Sequence, residues 1–183
     1  MSDADRVILQ PACLRDLSWV AAFMRQADRD EVFALMADDN PLALAARLDL
    51  VTEQAWCAHW RGRAVAAFGA TPNGPHVAEV WLFASDDWPH VALSVTRFIL
   101  RRVMPDLAAA GFVRAQCQSA AGHVTAHAWL ERLGAVREGI HPLRGRGGET
   151  FITFAWRRGD PAVEQFLASA TSYHSSSTTE KGA

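Results

Sequence analysis

Apolar and polar positions along the chain alternate between the two periods that separate helices from strands. A short apolar run at residues 7–9 predicts a first strand. Leu14, Leu17, Val20, Ala21 and Met24 then recur at helical spacing, and a second helical stretch after Asp30 sets Val32, Leu35 and Met36 on one face. Asp39-Asn40-Pro41 interrupts that stretch, and helical spacing resumes over 42–50. Residues 52–60 and 63–70 read as two strands joined by Arg61-Gly62, a compact hairpin turn. Thr71-Pro72-Asn73-Gly74-Pro75 is the strongest turn signal, and it leads into an apolar strand over 76–84 interrupted by Glu79.

Pro89 suits the first turn of a long helix beginning near His90, with Leu93, Thr96, Ile99, Leu100 and Val103 as its buried stripe. Pro105 should end or kink that helix, and Gly111 closes the segment. A strand over 112–118 follows, then a helix over 123–133 stopped by Gly134. Two last strands, near 135–140 and 150–156, flank the turn Arg144-Gly145-Arg146-Gly147-Gly148. The order predicts an α+β domain with a mixed, mostly antiparallel sheet of six to seven strands flanked by helices. That domain is expected over residues 1–157, a short helix over 158–170, and a disordered Ser/Thr-rich tail over 171–183.

Composition narrows the function classes. A formal net charge of −2 over 183 residues offers no basic field for nucleic acid. No apolar run approaches the ~20 residues that a membrane-spanning helix needs. The chain starts without a basic-then-apolar leader, and Cys13, Cys57 and Cys117 are odd in number and widely spaced. A reducing, cytoplasmic setting is therefore expected. No Cys/His spacing suggests a metal, and His123 and His127, four residues apart, lack a third ligand, so none is expected.

The segment Ala126-His127-Ala128-Trp129-Leu130-Glu131-Arg132-Leu133-Gly134-Ala135-Val136-Arg137-Glu138-Gly139 resembles the late helix and following strand of the GCN5-related N-acetyltransferases (GNAT), as does the order of elements. Within that family the chain looks closest to acetyltransferase-like and internal-virion-like proteins of tailed phages. Three features carry this: Arg25-x-x-Asp28-x-x-Glu31 on an early helix, Trp81-Leu82 in the central strand, and the closing run from Gly147 to Phe154. The resemblance spans roughly residues 6–157. It implies acetyl-CoA as co-substrate and a small-molecule or protein amine as acceptor, and it leaves virion assembly and a homodimer open as further associations. A catalytically silent phage structural or accessory protein is the alternative in that setting.

Acetyl transfer from a thioester needs a base for the amine and donors for the carbonyl and the departing thiolate. Glu79 is the candidate base: by alternation it shares a face with Val77 and Trp81, and an apolar setting there would raise its pKa toward neutral. The resemblance implies cofactor contacts at Leu82, Phe83 and Ala84 and, at the start of the long helix, at His90 and Val91. The stretch 85–92 carries no glycine, so Ser85, Asp86 or Asp87 is equally well read as a helix cap. The tyrosine that relatives use as acid falls at Leu130, so no obvious general acid exists; His123 and His127 could serve as acid, as cofactor contact or as neither, with His123 the catalytic candidate of the two. Arg25, Asp28 and Glu31 are candidates for drawing a cationic acceptor to the cleft. Read blandly they are a solvated helix face with an Arg25–Asp28 pair.

Overall fold

In a computed structural model, residues 5–52 and 54–168 are described. The elements run β1 (Ile8–Pro11), α1 (Leu14–Ala22), α2 (Gln26–Ala34), α3 (Pro41–Val51), β2 (Gln54–Trp60), β3 (Arg63–Pro72), β4 (Val77–Ala84) and α4 (Trp88–Phe98). A π-helical turn (Ile99–Val103), α5 (Met104–Ala109), β5 (Arg114–Ala120), α6 (Val124–Arg132), β6 (Val136–His141) and β7 (Phe151–Arg157) follow. A last helix, α7, covers 161–168. The expected tail over 171–183 and the final residues of the helix expected over 158–170 lie outside the described residues.

The α+β architecture is as the pattern predicts. One seven-stranded sheet is ordered β1-β2-β3-β4-β5-β7-β6. Every neighbouring pair is antiparallel except β4 and β5, which run parallel. The hairpin between β2 and β3 turns through Arg61 (φ 50°) and Gly62 (φ 73°). Two successive left-handed residues match the twist of a two-residue hairpin, which is why a glycine stands there. β3 lies in the middle of the sheet with helices on both sides, so Ala64 through Ala70 are buried without a polar interruption. At Gly69 an added Cβ would sit 2.6 Å from the Trp81 ring and 2.7 Å from the Gln54 carbonyl, so no side chain fits.

One face of the sheet packs Cys57, Ala67 and Phe83 against Leu17, Val20, Phe33 and Leu44 of α1 to α3. The other packs Val65, Phe68 and Ala78 against Val91 and Val95 of α4 and Leu107 of α5. Each fully buried valine contributes roughly 1.5–3 kcal/mol relative to an exposed one. The buried stripe of α4 thus differs from the expected one: Leu93 is 61% exposed, and Val91 and Val95 turn inward in its place. Val91, Val95 and Ile99 set the inward line at four-residue spacing, and Leu93 falls about half a turn away from it. The Met104 N–H reaches back to the Ile99 carbonyl, a π turn. That wider turn lets Pro105 follow as an early residue of α5, so the chain stays helical where a break was expected. α2 also begins earlier than expected, because Asp28 is a buried member of that helix and no exposed start.

Candidate active site

β4 and β5 are paired only at Val77–Arg114, Ala78–Ala115 and Glu79–Gln116. Beyond Glu79 they diverge: β4 stays paired to β3 through Ala84, and β5 to β7 through Ala120. The gap opens a cleft of about 1210 Å³, lined among others by Glu79, Leu82, Trp88, Cys117, His123 and Trp129. Parallel strands that part in mid-sheet leave main-chain groups facing the opening. Ala84 directs its N–H and carbonyl away from β3, toward α2. By strand alternation Leu82 points its own the same way, into the gap.

Glu79 stands where the two strands separate. Its Oε2 accepts from Gln116 Nε2 at 3.0 Å and from Asn73 Nδ2 at 3.4 Å. Gln116 is oriented in turn by Arg114, whose Nε donates to Gln116 Oε1 at 2.6 Å. Glu79 therefore meets two neutral amides rather than the apolar setting expected from its strand neighbours. Above it, the Trp81 indole N–H is buried without a hydrogen-bond partner among the described residues, a donor on the cleft lining.

Arg25, Asp28 and Glu31 are brought together, but not as a solvated face. Asp28 Oδ2 accepts the Ala84 N–H at 2.7 Å, and the Arg25 N–H donates to the Ala84 carbonyl at 2.9 Å. Arg25 Nε lies 2.9 Å from Asp28 Oδ1. Burial pushes the Asp28 carboxyl above its ordinary pKa, and the Arg25 guanidinium opposes that rise. One turn on, Glu31 Oε2 accepts from Ser119 Oγ at 2.7 Å, from the Ala120 N–H at 2.7 Å and from His123 Nδ1 at 3.1 Å. α2 thus ties the diverging ends of β4 and β5 to each other through two carboxylates.

His123 precedes α6 in the cleft wall. The Glu31 hydrogen bond raises its pKa above the ordinary value, partial burial opposes the rise, and the Glu31 and Asp28 charges add to it. His127, one turn later, is buried, and its Nε2 bonds the Ala120 carbonyl at 2.9 Å. Burial lowers its pKa, which keeps it neutral. The two histidines share a helix face, yet only His123 lines the cleft.

The remaining candidates separate. Leu82 lines the cleft, whereas Phe83 is in the core against α1 to α3 and the Ala84 main chain is held by α2. The His90 ring stacks on Trp60, with centroids 3.8 Å apart, and Val91 is fully buried. Neither side chain reaches the cleft lining. At the start of α4 the Trp88 N–H bonds the Ser85 carbonyl, the His90 N–H bonds the Asp87 carbonyl, and Pro89 has none. No side chain caps this helix, contrary to the reading of Ser85, Asp86 or Asp87 as caps. The turn consumes the donors that would otherwise face an anion. Trp88 instead meets Trp129 of α6 edge to face, with centroids 5.6 Å apart, and Trp129 Nε1 donates to Thr96 Oγ1 at 2.9 Å. Sequence reading missed several residues of the lining, among them Asn73, Trp88, Gln116, Cys117, Ser119 and Trp129. Burial pushes the Cys117 thiol well above the usual thiol range.

A sheet of this order, parting between its two parallel central strands, is the GCN5-related N-acetyltransferase fold. Ard1 from Thermoplasma volcanium superposes with a TM-score of 0.66 at 13% identity, over 82% of this chain and 97% of its own. An acetyltransferase of the GNAT family from Streptococcus pneumoniae gives 0.57 at 13% identity, over 83% and 99%. yncA from Salmonella typhimurium, whose structure holds its cofactor acetyl-CoA, gives 0.57 at 13% identity, over 82% and 93%. No protein-family model and no curated protein matches the sequence. At these identities the likeness is one of fold.

Proposed function

We propose that this chain is an acetyl-CoA-dependent N-acetyltransferase whose acceptor is a small-molecule or protein amine. The observation that carries the reading is the parting of β4 and β5 just beyond Glu79, which puts a carboxylate at the floor of a cleft large enough for an acyl-pantetheine arm. When bound, acetyl-CoA supplies the activated acyl group. The Leu82 main chain and the Trp81 N–H are the groups suited to orient that arm. Glu79, held by Gln116 and Asn73, takes the proton of the incoming ammonium. His123 carries a proton at the cleft wall for the departing thiolate. Arg25, Asp28 and Glu31 shape the acceptor end by fixing its walls, with the acidic pair favouring a cation.

The diphosphate end fits less well, since the start of α4 has spent its N–H donors. Affinity for the cofactor is accordingly expected to be weaker than a glycine-rich loop would give. That same feature supports a second reading, a protein that retains the fold without turnover. The two separate in one assay: release of free CoA from acetyl-CoA across a panel of primary amines, followed chromatographically. Amine-dependent release that falls at least tenfold in Glu79→Gln, with little change in KM, supports the enzyme. No release with any amine at millimolar acetyl-CoA supports the silent protein.

A further inference from the structure

Between α1 and β2, three chemically distinct metal-ligand types meet. Asp16 of α1, Cys57 of β2 and His59 of β2 each place one ligand atom within 4.8 Å of the other two. Cys57 and His59 are two apart on the strand, so alternation puts both on the α1 face. Asp16 is 3% exposed and Cys57 0%, and the His59 side chain is 13% exposed. Nothing in the family-like part of the site uses them.

The cluster is incompletely satisfied as it stands. Asp16 Oδ2 is buried without a hydrogen-bond donor among the described residues. The nearest ring nitrogen, His59 Nε2, lies 3.3 Å away and makes no hydrogen bond to it. The Cys57 sulfur makes a long 3.9 Å contact with the Ala58 carbonyl and accepts a hydrogen bond from the Val65 backbone. A carboxylate oxygen buried without a donor is destabilising, more so if it is charged. A fold that keeps one beside a thiol and an imidazole holds a set of donors converging on a common point.

We propose that Asp16, Cys57 and His59 form a binding site for a borderline-soft divalent metal ion of the Zn²⁺ class. One thiolate, one imidazole and one carboxylate is a ligand set that suits such an ion and not Mg²⁺ or Ca²⁺, which take oxygen. The fourth position falls to water or to Gln10. Gln10 pairs with Cys57 across β1 and β2, and its amide lies 3.2 Å from His59 Nε2. On binding, the Cys57 thiol gives its proton to solvent and the thiolate bonds the metal, so net charge is conserved. The ion would tie α1 to the edge of the sheet. Sequence spacing conceals the site, because Asp16 lies far along the chain from Cys57-x-His59.

The test is titration of the full chain, stripped by chelator, with Zn²⁺ against a chromophoric competitor, and with Co²⁺ followed by absorbance. The expected result is one equivalent of Zn²⁺ bound, a thiolate-to-cobalt charge-transfer band, and a rise in melting temperature with metal. Cys57→Ser should remove the band and lower Zn²⁺ affinity at least a hundredfold, and His59→Gln at least tenfold. His59→Gln is the safer variant for folding, because its side chain is partly exposed. The proposal is overturned if the folded wild-type chain binds no Zn²⁺ at micromolar concentration, or if Cys57→Ser and His59→Gln bind it equally well. Neither outcome depends on acetyl transfer.

Discussion

Removing the Glu31 carboxylate is expected to loosen the molecule at the point where its central strands part. Glu31→Ala leaves three donors without an acceptor: the Ser119 hydroxyl, the Ala120 N–H and the His123 ring. Ser119 is 1% exposed, so water replaces the lost acceptor poorly at that donor. Each unsatisfied buried donor costs about 1–3 kcal/mol, more where one is charged. The Glu31 side chain is 18% exposed, which gives water some access and holds the sum toward the lower end. The total is about 3–5 kcal/mol, the range for breaking one side of a buried ion pair. For a chain of this size that lowers the melting temperature by roughly 6–20 °C. Urea unfolding with matched m-values, run in parallel with thermal scans, measures it.

The pH dependence gives a sharper signature. The folded-state pKa of His123 is raised above 6.5, so its contribution is fully present below that value and is lost as pH rises through the folded pKa. Buried His127 has the opposite sign: its folded pKa is lowered, so stability is lost as pH falls below 6.5. Glu31→Ala should flatten the alkaline limb and leave the acid limb in place. A variant within 1 kcal/mol of wild type (well under the ~3 kcal/mol floor from the unsatisfied donors) would refute the reasoning. So would an unchanged alkaline limb.

Other outcomes follow from the same geometry. Gly69→Ala should cost about 1–3 kcal/mol by overpacking against the Trp81 ring and the Gln54 carbonyl, measured by denaturant unfolding. Asp28→Ala should destabilise more than Asp28→Asn, because the amide keeps an acceptor for the Ala84 N–H while removing a buried charge. The difference is expected to be about 1–2 kcal/mol by the same assay. Gln116→Ala should leave the fold intact yet reduce turnover several-fold, since it frees the carboxylate of Glu79 from its shorter hydrogen bond.

The sheet was legible in the sequence because its signals are local. Arg61-Gly62 and the Thr71–Pro75 turn mark hairpins through their own φ preferences, and the strand periods between them need no distant partner. What stayed hidden depends on contacts across the chain. Asp28 and Glu31 read as acceptor-binding candidates or as a solvated face, and neither reading foresaw their main-chain partners. Their partners Ala84 and Ala120 lie 56 and 89 residues away, and those bonds turn the face inward. The π turn before Met104 was invisible because a widened turn has no residue signature, so Pro105 read as an end or kink of the helix. Absent glycines over 85–92 did indicate a start of α4 unlike an anion cradle, and the spent N–H groups of Trp88 and His90 give that absence its structural form. The role of Glu79 rests on its place at the parting of the strands, which no local pattern encodes.

The central claim is that the gap between β4 and β5 receives acetyl-CoA. Thermal unfolding of the wild-type chain with increasing acetyl-CoA tests it most directly. Occupancy at 100 times the dissociation constant should add about 2.7 kcal/mol. That corresponds to a melting temperature roughly 5–11 °C higher, reached at high concentration given the poor diphosphate end of the site. Leu82→Pro, which removes one main-chain N–H from the gap, should reduce the shift in whatever folded protein it yields. Trp81→Phe, which keeps an aromatic side chain and removes the indole N–H, should reduce it in a chain that still folds. An unchanged melting temperature at millimolar acetyl-CoA would contradict the account.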